Sequence, residues 1–363
     1  MELQQHQLET YLAQRHGQPV QINQLRQLGS RAQGAAALKA FGYGRPLHVL
    51  YHHNGQREEV VLRRVERNGF GREMASDRLA AVWLDYTTFN ELAGHVAARD
   101  VVGLTDEGTL VSLARVADFL LLTDYAPGQA YATDLFCLRD AGRGTAQDEA
   151  RAAALAHYLA QIHATRHDDP LLWRRRLRDL VGHGEGIMGL ADSYPPDFAL
   201  VPAGQLQAIE CAANRWRWQL KPLSHRLCQV HGDFHPFNVL FTQGSSFQLI
   251  DRSRGAWGEA ADDLSCMSIN YLFFSLQRSG RLAPPFTALY HTFWQTYLEQ
   301  RPDPALCAVI QPWFAWRALV LASPQWYPSL TDDVRRQLLT FAEQVLATDY
   351  FDWPNINSYL EMA

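Results

Sequence analysis

Residues 230–265 read VHGDFHPFNVLFTQGSSFQLIDRSRGAWGEAADDLS and decide how the rest of the chain is interpreted. Apolar runs in and just before this stretch predict short strands at 228–230, 239–241 and 247–250. Polar groups stand at the ends of these strands: Asp233 and Asn238 in the loop between the first two, and Asp251 after the third. Because a buried charge is costly unless it is paired or binds a metal, carboxylates in such places point to function.

The last two strands form a predicted hairpin around Gly244-Ser245-Ser246. This hairpin brings Asn238 and Asp251 close together, because one residue opens its first strand and the other closes its second. Their side chains offer the hard oxygen ligands that Mg²⁺ accepts, and Asp233 can orient a hydroxyl as its base. Phosphoryl transfer needs these two functions and little covalent chemistry from the protein. The alternative is structural, with Asp233 and Asn238 as turn formers and Asp251 as a strand cap.

The pattern His-Gly-Asp-x-His-x-x-Asn at 231–238, followed by strand, turn, strand and Ile-Asp, resembles the catalytic segment of the aminoglycoside phosphotransferase and choline kinase-like family. These proteins are small-molecule relatives of protein kinases. Gly258 and Asp263-Leu264 match the family's later Gly-Asp-Pro…Asp-Leu-Ala element, with Glu259-Ala260 in place of Asp-Pro. The resemblance implies an α+β, protein kinase-like, two-lobed fold, with a small β-rich N-lobe, a larger helical C-lobe and the active site between them. It also implies a structural role for His231.

The composition is ordinary for a soluble globular protein. Of 363 residues, 47% are hydrophobic and 20% are charged, and the net charge of −5 provides no basic field for nucleic acid. We expect no membrane span and no signal peptide, since the chain lacks a long apolar run and its first residues lack a basic and an apolar region. Five isolated cysteines without a CxxC pair favour free thiols in a reducing, cytoplasmic compartment.

The first predicted domain, 1–123, is the nucleotide-covering β-sheet with one helix. Strands are expected at 22–28, 47–51 and 59–65, with a hairpin turn at Asn54-Gly55. The small-residue segment 29–34 stands where a phosphate-covering loop would lie, although an ordinary hairpin turn fits it equally well. The resemblance places Arg63 where kinases carry their phosphate-binding Lys, and the structural alternative is a surface cation on the strand. The resemblance gives it Asp85, on a helix predicted at 77–91 and capped by Ser76, as partner, whereas an exposed helix carboxylate explains Asp85 equally well.

The lobe boundary is placed after residue 123. Residues 118–122 predict a buried strand that passes into a polar turn, and this run resembles the family's adenine-holding hinge. The resemblance assigns the nucleotide base to Thr123, Asp124, Tyr125 and Ala126, through their backbone groups. The second domain, 124–363, is then the C-lobe with catalytic loop, metal site and helical acceptor region. Its predicted helices are 149–165, 171–181, 203–220, 271–282, 286–298 and 334–347.

The predicted function is transfer of the γ-phosphate of ATP, or possibly of GTP, with Mg²⁺, to a hydroxyl group of a small molecule. Asp233 is the catalytic residue, and Asn238 and Asp251 are the metal ligands. Alternatives are a catalytically silent nucleotide-binding or regulatory protein and a protein Ser/Thr kinase. Arg252 and Arg254 beside the metal site either recognise an anionic acceptor or form internal ion pairs. The aromatic residues Trp313, Trp316, Trp326 and Tyr327 either cage an amine or pack.

Overall fold

The computed structural model describes residues 3–28 and 46–361, and the chain divides into two compact units, 1–123 and 124–363. The predicted phosphate-covering segment, 29–34, lies outside the described residues. Helices and short sheets occur together, with a small sheet-containing unit and a larger helical one, so the predicted α+β class is confirmed. Within the described residues no helix is long and apolar enough to span a membrane.

The first unit is built on a three-stranded antiparallel sheet in the order β1-β2-β3. Asn54 and Gly55, with φ values of 51° and 73°, form the tight turn between β2 and β3 that their sequence predicts. Helix α1 packs its apolar stripe on the sheet, where Leu8, Leu12 and Val49 are buried together. The elements of this unit are α1 (Gln5–His16), β1 (Gln21–Gln27), β2 (Leu47–His53), β3 (Gln56–Leu62), α2 (Ala75–Phe89), β4 (Val102–Leu104) and β5 (Leu110–Ser112).

Two predictions for the first unit are wrong. Residues 118–122 form no strand, and Leu120, Leu121 and Leu122 are each at least 90% exposed. A strand needs a hydrogen-bonded neighbour, and the nearby β4 and β5 pair with each other. Helix α2 also begins earlier than predicted, with Met74 rather than Ser76 at its N-cap; Asp77 in the first turn accepts from the Met74 amide over 2.7 Å.

The second unit packs its helices around α8, whose residues from Ala260 to Leu276 are all buried. Small sheets accompany these helices: β8 and β9 form a hairpin, β6 pairs with β8, and β7 pairs with β10. The elements are β6 (Gln129–Ala130), α3 (Tyr131–Ala141), α4 (Ala146–His163), α5 (Pro170–Gly182), α6 (Ile187–Asp192), α7 (Ala203–Leu220), β7 (Cys228–Gln229), β8 (Val239–Phe241), β9 (Phe247–Leu249), β10 (Trp257–Gly258), α8 (Ala260–Ser279), α9 (Phe286–Gln300), α10 (Gln311–Ala322) and α11 (Asp332–Leu346).

Candidate active site

The loop between β7 and β8 is held by a carboxylate in the first turn of α8. Asp263, fully buried, accepts the backbone N–H of His231 over 2.8 Å and that of Gly232 over 2.7 Å. The His163 ring nitrogen Nε2 lies 3.1 Å from the same side chain. Burial alone would raise the pKa of Asp263, but the bond and charge of His163 and the two amides hold it below its ordinary value. The core of the unit thus fixes the loop that carries Asp233.

Asp233 is buried, and its two carboxylate oxygens have different surroundings. Oδ1 accepts from Nη1 of Arg254 over 2.6 Å and from Nη1 of Arg317 over 2.8 Å. Oδ2 lies 3.7 Å from Nε2 of His235. Burial acts to raise the pKa of Asp233, but the charges of Arg317 and Arg254 outweigh it and hold the pKa below the ordinary value. The carboxylate is therefore ionised at neutral pH, with one oxygen saturated and the other able to accept a further donor.

Arg317 is a site residue to which the sequence analysis gave no role. It lies on α10 with its side chain only 6% exposed, and Nη2 donates to Asp262 Oδ1 over 2.6 Å. Its guanidinium carbon lies 3.9 Å from the centre of the Trp316 ring. A signal for it was present in the sequence: an Arg inside the apolar run PWFAWRALVLA must be buried, and a buried charge requires a partner.

The β8–β9 hairpin brings the two predicted metal ligands to the same end. Val239 pairs with Leu249, and the Ile250 amide donates to the Asn238 carbonyl over 3.1 Å, so Asp251 follows directly. The Asn238 side chain donates through Nδ2 to the Asp233 carbonyl over 3.1 Å, which leaves its Oδ1 as the oxygen for a ligand. Asp251 has a φ of 58°, a conformation that is uncommon outside glycine and that collects at functional sites.

The two cations that follow Asp251 form internal contacts. Arg252 donates through Nε and Nη2 to the Val230 carbonyl, over 3.0 and 2.7 Å. Arg254 pairs with Asp233 and, through Nη2, with Glu185 over 3.2 Å. Arg252 therefore braces the start of the loop, whereas Arg254 contacts the candidate catalytic side chain itself.

A cavity of about 460 Å³ in the second unit adjoins these groups. Its charged lining residues include Asp233, Asp251, Arg254 and Arg317, and the rest of the lining includes apolar and aromatic side chains. Among the latter are Leu190, Ile269, Trp326 and Tyr327. The volume suits a small organic molecule. Trp326 and Tyr327 line this cavity, whereas Trp313 is buried in the hydrophobic core.

The predicted nucleotide-contacting residues lie in the first unit and at the start of the second, and most of them are exposed. Arg63, predicted within a strand over 59–65, lies directly after β3, which ends at Leu62. It forms an ion pair with Asp85 on α2, so the structure brings these two side chains together. Because both are at least one-third exposed, the pair contributes little to stability. Thr123, Asp124 and Tyr125 are exposed and Ala126 is half-buried, in a segment without regular secondary structure.

A family model described as "Phosphotransferase enzyme family" matches residues 49–305, more than two-thirds of the chain. None of the curated proteins compared with the chain matches it significantly. Among solved structures, a glucosamine kinase in complex with glucosamine, ADP and inorganic phosphate is 20% identical, with a TM-score of 0.39. That alignment covers 57% of this chain and 58% of the glucosamine kinase, which is less than two-thirds of its length.

Two further solved structures align over more of the chain. An amicoumacin kinase in complex with AMP-PNP and Ca²⁺ is 16% identical, with a TM-score of 0.41, and the alignment covers 84% of this chain and 88% of that one. An ethanolamine kinase from Plasmodium vivax is 11% identical, with a TM-score of 0.35 and coverage of 94% and 82%.

Proposed function

Because the chain belongs to the phosphotransferase enzyme family, we propose that it transfers the γ-phosphate of ATP to a hydroxyl group of a small molecule bound beside Asp233. The family match confirms the family and the phosphotransferase class that the 231–251 motif predicts. The observation that carries the proposal is the surroundings of Asp233. Two guanidinium groups saturate its Oδ1 and keep it ionised, and the side chain borders a cavity.

In this proposal Asp233 orients the acceptor. The acceptor hydroxyl donates to Oδ2, which directs an oxygen lone pair toward the γ-phosphorus. A bond forms between the acceptor oxygen and that phosphorus, the bond to the β–γ bridging oxygen breaks, and the hydroxyl proton passes to Asp233. Because the transition state is loose, little proton removal is needed before bond formation, so a carboxylate with a lowered pKa suffices.

The side-chain oxygens of Asn238 and Asp251 fit a hard divalent cation such as Mg²⁺. When bound, Mg²⁺ would neutralise charge on the phosphates. We assign Arg63, paired with Asp85, to phosphate contacts, and the backbone of residues 123–126 to the nucleotide base, on the family resemblance. GTP is the second donor to test, because backbone contacts do not select a base by side-chain identity.

The acceptor is proposed to be a small polar hydroxyl compound with an apolar part. The cavity is lined by charged side chains of both signs and also by Trp326, Tyr327 and Ile269. The described residues of this cavity carry both negative and positive charges, so they do not form the uniformly negative field that would select a polycation. The alternative, a catalytically silent nucleotide-binding or regulatory protein, does not account for the joint presence of Asp233, Asn238 and Asp251.

The test is transfer of labelled γ-phosphate from ATP and from GTP, with Mg²⁺, into a panel of amino alcohols, sugars, aminoglycosides and anionic metabolites. Slow nucleotide hydrolysis is followed in parallel, since water can replace a missing acceptor. Asp233→Asn should lower the rate by about 100-fold or more while Mg-nucleotide binding persists. Asp140→Asn, an exposed carboxylate at the end of α3 paired with Arg139, is the matched control and should behave as wild type. Wild-type turnover by Asp233→Asn would overturn the proposal, as would failure to bind or hydrolyse any nucleotide.

A further inference from the structure

Two imidazoles meet where α1 and β2 end. The apolar stripe of α1 runs through Leu8 and Leu12, and His16 is the next residue at the same helical spacing. The inward face of β2 runs through Val49 and Tyr51, and by the alternation of a strand His53 is next on that face. The ring centres of His16 and His53 are accordingly only 4.0 Å apart.

A carboxylate on the neighbouring strand completes the group. Glu58 of β3 lies opposite Tyr51 in the antiparallel register and so shares the inward face. One ring nitrogen of each histidine and one carboxylate oxygen of Glu58 all lie within 4.8 Å of one another. Oε2 of Glu58 accepts from the Tyr51 hydroxyl over 3.0 Å and from Arg99 Nη1 over 2.9 Å. Its other oxygen, Oε1, lies 3.8 Å from His53 Nδ1.

The His53 ring carries an independent sign of a missing partner. Its Nδ1 atom is buried, and within residues 3–28 and 46–361 nothing hydrogen-bonds to it. A buried polar atom without a partner is costly and calls for an explanation. The other ring nitrogen, Nε2, lies 3.4 Å from Nε2 of the Gln18 side-chain amide. With that amide flipped, its carbonyl oxygen faces the ring and accepts the Nε2–H that a metal-bound histidine donates to its outer partner.

We propose that His16, His53 and Glu58 bind a divalent transition-metal ion of the zinc type. Two imidazole nitrogens and one carboxylate oxygen, with water in the fourth position, form a ligand set that suits Zn²⁺ better than Mg²⁺ or Ca²⁺. This site lies within the first unit and does not depend on the proposed phosphotransfer.

The geometry requires a modest closing movement. Metal–ligand distances near 2.1 Å place tetrahedral ligand atoms about 3.4 Å apart, closer than the present limit of 4.8 Å. His16 is the last residue of α1 and precedes Gly17, and His53 precedes the Asn54-Gly55 turn, so both stand where side-chain and backbone adjustment is easiest. Bound metal would tie the end of α1 to the tip of the β2–β3 hairpin.

The positive charge of Arg99, close to Glu58, opposes cation binding at this site. Arg99 donates to Oε2 of Glu58 and therefore brings a positive charge next to the ligand group. Its side chain is 53% exposed, so solvent and salt screen this repulsion. Arg15, the other neighbouring cation, is paired with Asp100 over 2.9 Å. The direct bonds from two imidazoles outweigh a screened through-space repulsion.

The test is titration calorimetry of the full chain, after chelator treatment, with Zn²⁺ alone as the probe. Wild type should bind one ion tightly, and His16→Gln, His53→Gln and Glu58→Gln should each weaken that binding at least about ten-fold. Zn²⁺ should also raise the Tm of wild type and not of these variants. His48→Gln is the matched control: His48 pairs with Glu59 over 2.8 Å on the opposite face of the same hairpin, and its Nδ1 is also buried without a hydrogen-bond partner among the described residues. Within that part of the chain no second histidine ring lies beside the pair, so this variant should bind Zn²⁺ as wild type does.

Circular dichroism checks that each variant is folded. If His53→Gln does not fold, His16→Gln decides, because His16 is half-buried at a helix end. Absence of stoichiometric Zn²⁺ binding by wild type would overturn the proposal. So would binding that all three variants retain, or that His48→Gln weakens to the same extent.

Discussion

Nη1 of Arg317 donates to Oδ1 of Asp233 over 2.8 Å, and this bond links α10 to the candidate catalytic loop. The same guanidinium donates to Asp262 at the start of α8, so one buried cation holds two carboxylates. With Arg254 also on Oδ1, the carboxylate cannot rotate without losing two charge-assisted bonds. The orientation of Oδ2 is thus set before any acceptor binds, which lowers the entropy cost of positioning the hydroxyl.

Arg254→Gln should move the acidic limb of the pH dependence of kcat/KM to higher pH. That limb reports the pKa of the essential base in the free enzyme. Arg254 is one of the two charges that lower the pKa of Asp233, so without it the pKa rises and activity is lost earlier on acidification. The measurement is kcat/KM between about pH 4 and 8 for both proteins.

Arg252→Gln is the control for this shift. Arg252 stands two residues earlier and donates to the Val230 carbonyl, so its loss removes a brace of the loop and no bond to Asp233. Its acidic limb should stay at the wild-type position even if kcat falls. An unmoved limb in Arg254→Gln would show that Asp233 is not the group that titrates.

Asp263→Asn should destabilise the second unit by about 3 kcal/mol at neutral pH, because a fully buried, paired charge is removed and His163 loses its partner. The folded pKa of Asp263 is lowered, so its stabilisation is complete above the unfolded value, near 3.9, and is lost as pH falls through the folded value. The difference in free energy of unfolding between the two proteins should therefore shrink below about pH 4.

Urea unfolding at a series of pH values measures this difference, with Asp140→Asn as the exposed control. A difference that persists undiminished at pH 3 would mean that Asp263 acts through shape rather than charge.

The fold near the site could be predicted because its signals are local. Strand lengths, the 244–246 turn and the alternation of polar and apolar residues in 228–251 define a hairpin without reference to the rest of the chain. The helix at Ala203–Leu220 was predicted with its observed bounds for the same reason, since its apolar spacing is regular and a proline precedes it. The strand predicted at 118–122 failed because an apolar run forms a strand only if another strand is available to pair with it.

The partners of Asp233 could not be predicted from local pattern. Arg317 follows Asp233 by 84 residues, and only the packing of α10 against α8 brings them together. The sequence could indicate that a cation in an apolar helix needs a carboxylate, yet several acidic residues were available. The same holds for His16, His53 and Glu58, whose proximity depends on the register of β2 and β3 and on the angle of α1.

Asp251→Asn and Asn238→Ala should each raise the Mg²⁺ concentration that gives half-maximal activity by about ten-fold or more, since the first removes the negative charge of one ligand and the second removes one oxygen ligand altogether. The measurement is the Mg²⁺ dependence of the rate at fixed ATP. Gln248→Ala, exposed on the same hairpin, is the control and should leave the dependence unchanged. An unaltered Mg²⁺ dependence in Asp251→Asn would remove that residue from the metal site.

Arg63→Met should raise the KM for ATP several-fold with a smaller effect on the KM for the acceptor, because the assignment gives Arg63 a contact to the nucleotide phosphates. Asp85→Asn should have a weaker effect of the same kind, since Asp85 acts by holding Arg63 through their ion pair. That pair is partly exposed, so neither variant should change Tm by more than a few degrees. Arg57→Met, at the exposed start of β3 and paired with Glu59, removes an equivalent charge and should leave both KM values unchanged. Equal KM values for ATP in Arg63→Met and Arg57→Met would remove Arg63 from the nucleotide site and leave its bond to Asp85 as a surface ion pair.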